Sequence, residues 1–310
     1  MRDGAASILG GMTLLGLTDN LVRLISEDAS LWQFHLLRSL MALPLLALAA
    51  LALGMRLRPR RPGAVAARSA VQTCAMLVYF GALPTLPIAE VGAALFTAPI
   101  WVLLFSAAFF GRRVGARACL AVALGFAGVL VMLRPDPGGL SAFAFMPLAA
   151  GALYGLSNLL TREWCAEEPV GALLVGFFGG LAIASLAALA LLAAAPPPDA
   201  WRQAAPFLTE GWRAPSAAML GWILAQAAGS LAAVGLIARG YQAGDTGPLA
   251  VFEYVFLLTA NFWAWALWGD GLEPVDFLGI AMIVASGALI AGAGPGRSGR
   301  GPKPSRLTLA

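Results

Sequence analysis

Apolar runs follow one another along the whole of this chain, with short polar interruptions. Each holds about 20 residues, enough for a helix to cross ~30 Å of hydrocarbon. That repetition constrains the fold more than any motif does. Composition agrees with it. Of 310 residues 60% are apolar and 12% charged, with a mean hydropathy of +0.81. A soluble domain carries about 25% charged residues. The expected fold is an all-α integral membrane protein with no room for a sizeable soluble domain. The first run has one early Arg and no clear cleavage site, so it is read as a retained span rather than a signal peptide.

Ten spans are expected, at roughly 5–25, 31–54, 67–86, 89–110, 116–134, 142–162, 169–193, 215–238, 246–267 and 275–294. Most linkers are short. The exception, AAPPPDAWRQAAPFLTEGWR at 194–213, mixes prolines with polar residues. It reads as an interfacial loop with Trp201 and Trp212 at headgroup level. With a cytoplasmic N-terminus, the inside receives fifteen bases: Arg2, Arg56, Arg58, Arg60, Arg61, Arg68, Arg112, Arg113, Arg117, Arg162, Arg239, Arg297, Arg300, Lys303 and Arg306. The outside receives Arg134, Arg202 and Arg213. That bias places both termini in the cytoplasm of an inner-membrane protein. The basic character, with a pI near 9.3, is therefore a topology signal rather than a sign of nucleic-acid binding. The tail 295–310, rich in Gly, Pro and bases, is expected to be disordered.

The stretches GLTDNLVR (16–23) and GLSNLLTR (155–162) align at an offset of 139, in the later halves of the first and sixth spans. Further on, 106–131 resembles 264–290 at an offset near 158. The increase is about the length of the extra loop. The chain therefore reads as two five-helix halves, 1–134 and 135–294. Five is odd, so the halves would enter the membrane from opposite sides. Inverted repeats of this kind hold substrate near the midplane between them.

Ten spans in two halves, each with a short polar first helix, resemble the drug/metabolite transporter superfamily, EamA type. The Gly–charged turns FFGRR and LWGDG, and the passages 79–113 and 244–271, carry the resemblance. It covers residues 5–294. One departure is Arg112, where an acidic residue is usual. Pro99 falls in mid-helix on this reading. The resemblance implies a secondary transporter and leaves the cargo open.

Charges within hydrocarbon are costly and mark function or pairing. Asp19 and Arg23 are i and i+4 on the first span, and His35 and Arg38 are i and i+3 on the second. The two pairs are expected to meet, as an outer gate, a substrate contact or a structural ion pair. Arg23 can also reach the outer headgroups, and Arg162 the inner ones. Glu253 is the most isolated charge, deep in the ninth span, as a proton carrier or a carboxyl tying helices together. Glu90 reads as a rim charge. Uncharged candidates by depth are Gln72, Tyr79, Trp101, Tyr154, Ser157, Asn158, Trp222, Gln226, Tyr254, Asn261 and Trp263. Converging aromatic rings can hold a cation or an aromatic solute. The substrate-binding set so named is Glu253, Asp19, Arg38, His35, Tyr79, Trp101, Tyr154, Asn158, Trp222, Gln226 and Tyr254.

The one histidine, and the lack of a Walker loop, a GxSxG or a metal cluster, speak against an enzyme and against a cofactor. Cys74, Cys119 and Cys165 lack the spacing of a disulfide framework or a zinc site. The expected function is secondary transport of an amino-acid- or amine-like metabolite by alternating access. Its partners are a small-molecule substrate, the lipid bilayer and a coupling proton. A non-transporting membrane enzyme or assembly subunit is the alternative. Direction of transport and oligomeric state stay open.

Overall fold

The computed structural model describes residues 2–25, 28–82, 95–133, 145–269 and 273–291. Helices dominate. They are α1 (Arg2–Asn20), α2 (Val22–Ile25), α3 (Leu31–Leu53), α4 (Pro62–Ala82), α5 (Ala98–Phe110), α6 (Ala116–Leu133) and α7 (Phe145–Glu163). Then come α8 (Val170–Ala194), the short α9 (Asp199–Ala204) and α10 (Pro206–Thr209), α11 (Ala217–Ala243), α12 (Thr246–Ala250), a 3-10 turn (Val251–Tyr254), α13 (Val255–Trp268) and α14 (Pro274–Ala291).

By length and composition α3, α8, α11 and the stretch Thr246–Trp268 can each cross a membrane, and α5, α6 and α14 carry shorter apolar helices. Leu48, Leu51, Ile183, Leu191 and Phe277 are all exposed. Large exposed apolar side chains on several helices suit lipid, not water.

Local chemistry sets the helix ends. Ser30 caps α3 by accepting from the Gln33 N–H at 3.3 Å, and Ser216 caps α11 through Met219 at 3.1 Å. Such caps satisfy amides that the first turn leaves free. Gly111 and Gly269 end α5 and α13 with φ of 60° and 75°. Only glycine takes that left-handed conformation without cost. The two stand 158 residues apart, the offset of the second sequence repeat.

The expected continuous first helix is interrupted. The α1 hydrogen-bond pattern stops at Asn20, and Leu21 is a turn residue. Asn20 Nδ2 donates to the Gly16 carbonyl at 2.7 Å and the Ala260 carbonyl at 3.1 Å. An amide bonded this way competes with the helix ladder. Asp19 and Arg23 therefore do not share one unbroken helix face, and the Arg23 side chain lies outside the described residues. Pro99 also differs from expectation. It sits in the first turn of α5, where its missing N–H costs nothing. The ninth span breaks at the corresponding place, in the 3-10 turn.

The packing order bears on the repeated motif. Helix α1 lies on α11 and α13, and α7 lies on α4 and α5. Helix α3 packs on α8 and α11, α4 on α8, and α6 on α14. Exchanging α1, α3, α4, α5 and α6 for α7, α8, α11, α13 and α14 maps each of these pairs onto another or onto itself. The glycines of the repeat make the closest crossings. A Cβ on Gly16 would clash with the Thr259 hydroxyl and lie 2.8 Å from the Ala260 amide. A Cβ on Gly155 would lie 2.9 Å from the Ala98 carbonyl and 3.4 Å from Trp101 and Val102. Trp101 and Val102 precede Thr259 and Ala260 by 158 residues. GLTDNLVR and GLSNLLTR thus begin on glycines that perform the same close approach. On α6, the small residues Gly125 and Gly128 admit Tyr254 and the backbone of Gly279, as small-residue spacing in membrane helices does.

Candidate functional site: a polar cavity between the helices

One cavity runs among α1, α3, α4, α5, α7, α8, α11 and the 3-10 turn. Its interior free volume is about 100 Å³, and the space continues into an open mouth. Aromatic rings of Tyr79, Phe80, Phe96, Tyr154, Phe177 and Phe256 line it. Set among them are Asp19, Arg38, Arg68, Gln72, Gln226, Ser230 and Glu253.

These polar groups form two clusters. In the first, Asp19 of α1 faces Arg38 of α3, with Gln226 of α11 beside it. The Arg38 guanidinium also lies over the rings of Phe34 at 5.3 Å and Phe178 at 5.6 Å. The cation is thus compensated by the two ring faces and by an acid beyond direct ion-pair distance. His35 is fully buried against Phe34 and Phe80, with ring centroids at 4.9 and 4.8 Å. It neighbours Arg38 but does not line the cavity.

The second cluster surrounds Glu253. The 3-10 turn presents this carboxylate to α7, where the Tyr154 hydroxyl and Asn158 Nδ2 each donate to Oε1 at 3.1 Å. Tyr241 of α11 lies alongside. The acid is therefore hydrogen-bonded, not isolated. Asn158, the repeat mate of Asp19, does not line the cavity as Asp19 does and reaches it only through Glu253. Glu253 stands 158 residues after Leu95, so the two halves differ in charge there.

Arg68 corrects the sequence reading, which counts it among the cytoplasmic loop bases. Helix α4 begins at Pro62, so Arg68 lies nearly two turns inside the helix and is only 2% exposed. Its Nε donates to Thr161 Oγ1 of α7 at 2.8 Å. The sequence carries a signal for it: Arg68 is flanked by VAA and SAV, unlike the Pro-rich loop before it.

Other candidates lie elsewhere. Trp222 is 41% exposed and does not line the cavity. Trp101 donates Nε1 to Thr97 Oγ1 at 3.1 Å and stacks on Phe105. Tyr254 turns away from the cavity into the groove of α6, against Phe96 and Gly125. Asn261 bonds its own helix at the Leu257 carbonyl, 2.8 Å away, and Trp263 lies edge-on to Phe262. Ser157 donates to the Tyr154 carbonyl at 2.9 Å. Glu90 falls outside the described residues. Arg162, expected to reach the headgroups, instead donates to the Gln242 carbonyl at 2.6 Å.

One end of the bundle is fastened by polar contacts between residues far apart in the chain. Arg112 reaches Glu163 at 2.6 Å and Asp245 at 3.3 Å. Glu168 accepts from the Arg60 and Arg61 amides at 2.7 and 2.8 Å. Arg112, the departure from the family pattern, is thus a bridging cation. At the other end, Gln33 pairs with the Arg213 backbone at 2.6 and 3.1 Å, and Trp32 donates to the Leu208 carbonyl at 2.7 Å. Among the described residues no cluster of His, Cys, Asp and Glu has metal-site geometry.

Residues 3–134 match the EamA-like transporter family. A riboflavin transporter of Rhizobium johnstonii is 27% identical over 276 residues, covering 86% of this chain and 80% of its own. A pseudopaline exporter of Pseudomonas aeruginosa is 24% identical over 218 residues, 68% of each chain. Over these stretches the chain is similar to EamA-type transporters of the drug/metabolite transporter superfamily. It is not an enzyme. A solved crystal structure, 20% identical, has the same fold with a TM-score of 0.73, over 92% of this chain and 95% of its own. The transporter relatives, together with the apolar helices, support a multi-pass membrane protein that transports small molecules.

Proposed function

We propose that this chain is an EamA-type transporter and carries an amino-acid- or amine-like metabolite across the inner membrane by alternating access between two inverted halves, 1–134 and 135–294. Supporting this is Glu253, a carboxylate held by Tyr154 and Asn158 at the wall of the cavity. An acid kept there at the cost of desolvation suits a cationic group or a coupling proton. The exchange symmetry of the helix pairs supports the inverted halves. The two named relatives bear different cargoes and neither is carried over.

The topology assigned to this reading has ten spans with both termini cytoplasmic. The loops at 54–61, 111–115, 164–169 and 242–245 then share the cytoplasmic end. Correcting Arg68 leaves fourteen inner bases against three outer ones, still a strong bias. Reporter fusions after residues 62 and 205 should report opposite sides. The same side for both would end the ten-span arrangement.

Arg38→Ala is expected to impair transport more than Arg23→Ala. Arg38 lines the cavity and its charge favours the ionised Asp19 nearby, so removing it leaves that buried carboxylate without its cationic neighbour. Uptake into proteoliposomes, compared at equal folded protein, measures the difference. If both variants match the wild type, the first cluster has no part in transport.

A further inference from the structure

The two arginines that line the cavity are not equivalent. Arg38 has an acid and two ring faces around it. Arg68 has Thr161 on its Nε, and its electrostatic neighbours are Tyr154 and Cys165, groups that are neutral at ordinary pH. It forms no ion pair within the described residues. Its Nη1 is buried without a hydrogen-bond partner there. One turn along the same face of α4, Gln72 lines the cavity, 4% exposed, with its Oε1 likewise unpartnered. A buried guanidinium without an anion costs several kcal/mol. Chains keep such an arrangement where something else supplies the anion.

We propose that Arg68 is the receptor for a carboxylate on the transported solute. The assignment rests on the transport reading above and narrows it: the cargo bears an acid group, and an amine alone is not enough. The fork of Arg68 offers paired N–H donors to a planar carboxylate. Thr161 fixes its orientation through Nε and is itself anchored, donating to the Ser157 carbonyl at 2.8 Å. Gln72 can turn its amide N–H toward the same acid. Tyr154 stands between this site and Glu253. A solute carrying both an acid and an amine would place the acid at Arg68 and the amine at Glu253. Thr161 is a positioning residue and does not touch the solute.

The test uses full-length protein in lipid nanodiscs, with binding read by calorimetry. Two matched ligand sets share a hydrocarbon body and differ in the head group: phenylalanine, phenethylamine and hydrocinnamate; leucine, isoamylamine and isocaproate. Sodium chloride is titrated separately. The expected result is binding confined to acid-bearing members of a set. Arg68→Gln should weaken it about tenfold to a hundredfold, the range for a hydrogen-bonded charge. Thr161→Val should give a smaller loss that chloride does not mimic. If Arg68→Gln does not fold, Arg68→Lys keeps the charge without the fork and should bind the acids more weakly than wild type.

Binding by amines but not acids overturns the assignment and leaves the transport reading standing. So does chloride binding with no acid binding, or acid binding that Arg68→Gln and Arg68→Lys leave unchanged. No binding by any acid overturns it as well. Acid binding lost in the variants, with no flux in proteoliposomes, upholds the assignment and removes transport instead.

Discussion

Glu253→Gln should leave the protein folded and abolish either transport or its pH dependence. The amide oxygen of Gln can still accept from Tyr154 and Asn158, which now share Oε1 at 3.1 Å. What it cannot do is ionise, so the substitution separates charge from packing. A hydrogen bond to a charged group is worth about 1.5–3 kcal/mol. Losing a cationic partner should therefore cost roughly tenfold to a hundredfold in apparent affinity. If Glu253 carries the coupling proton, flux should persist only as a leak that no longer varies with pH. Proteoliposome uptake between about pH 5.5 and 8, across the range where perturbed carboxyls titrate, measures both. Normal flux with a normal pH profile would make the carboxylate a structural tie between the 3-10 turn and α7. The preference for a cationic or zwitterionic cargo would lose its support.

A single methyl group at either motif glycine should be as damaging as a charge change. In Gly16→Ala the new Cβ meets the Thr259 hydroxyl and the Ala260 backbone amide at 2.8 Å. In Gly155→Ala it meets the Ala98 carbonyl at 2.9 Å. Backbone atoms cannot rotate away, so helices must separate. Overpacking of this kind costs about 1–3 kcal/mol at each site. A methyl group on Gly63 or Gly179 would meet nothing within 4 Å, so alanine there should leave stability unchanged or raised. Melting of the four detergent-solubilised variants, followed by size-exclusion chromatography, makes the comparison. Should Gly16→Ala melt with Gly179→Ala, the repeat would owe nothing to close helix approach.

Much of the helix layout can be read from the chain because hydrophobic run length acts over whole helices. Each expected span overlaps a described helix, the fourth only over α5. The glycine repeats at offsets of 139 and 158 also mark real equivalences, since both reflect backbone approach rather than side-chain choice. The site is less legible. Depth along a helix says how far a residue lies from an end, but not which way it points. Trp222 and Gln226 lie one turn apart on α11, yet Trp222 is 41% exposed and Gln226 1%. Tyr254 fails for a related reason. The 3-10 winding of its segment sets the direction of each side chain differently from an α-helix, and the sequence shows no break there. Arg68 is hidden by position, because a base beside a basic loop looks like part of the loop until the helix start is known.

The 3-10 turn that carries Glu253 is wedged from behind. Its next residue, Tyr254, fills the notch above Gly125 and donates to the Val122 carbonyl at 3.4 Å. The turn therefore cannot roll about its own axis without driving an aromatic ring into helix backbone. Ordering a flexible side chain on binding costs about 0.5–1.5 kcal/mol. Here that ordering is complete before any solute arrives, because covalent geometry transfers the rigidity of the α6–α14 pair to the neighbouring acid. The recognition strength of Glu253 is thus set partly by residues on the side of the turn that no solute reaches, and enlarging Gly125 would loosen the acid without touching the cavity wall.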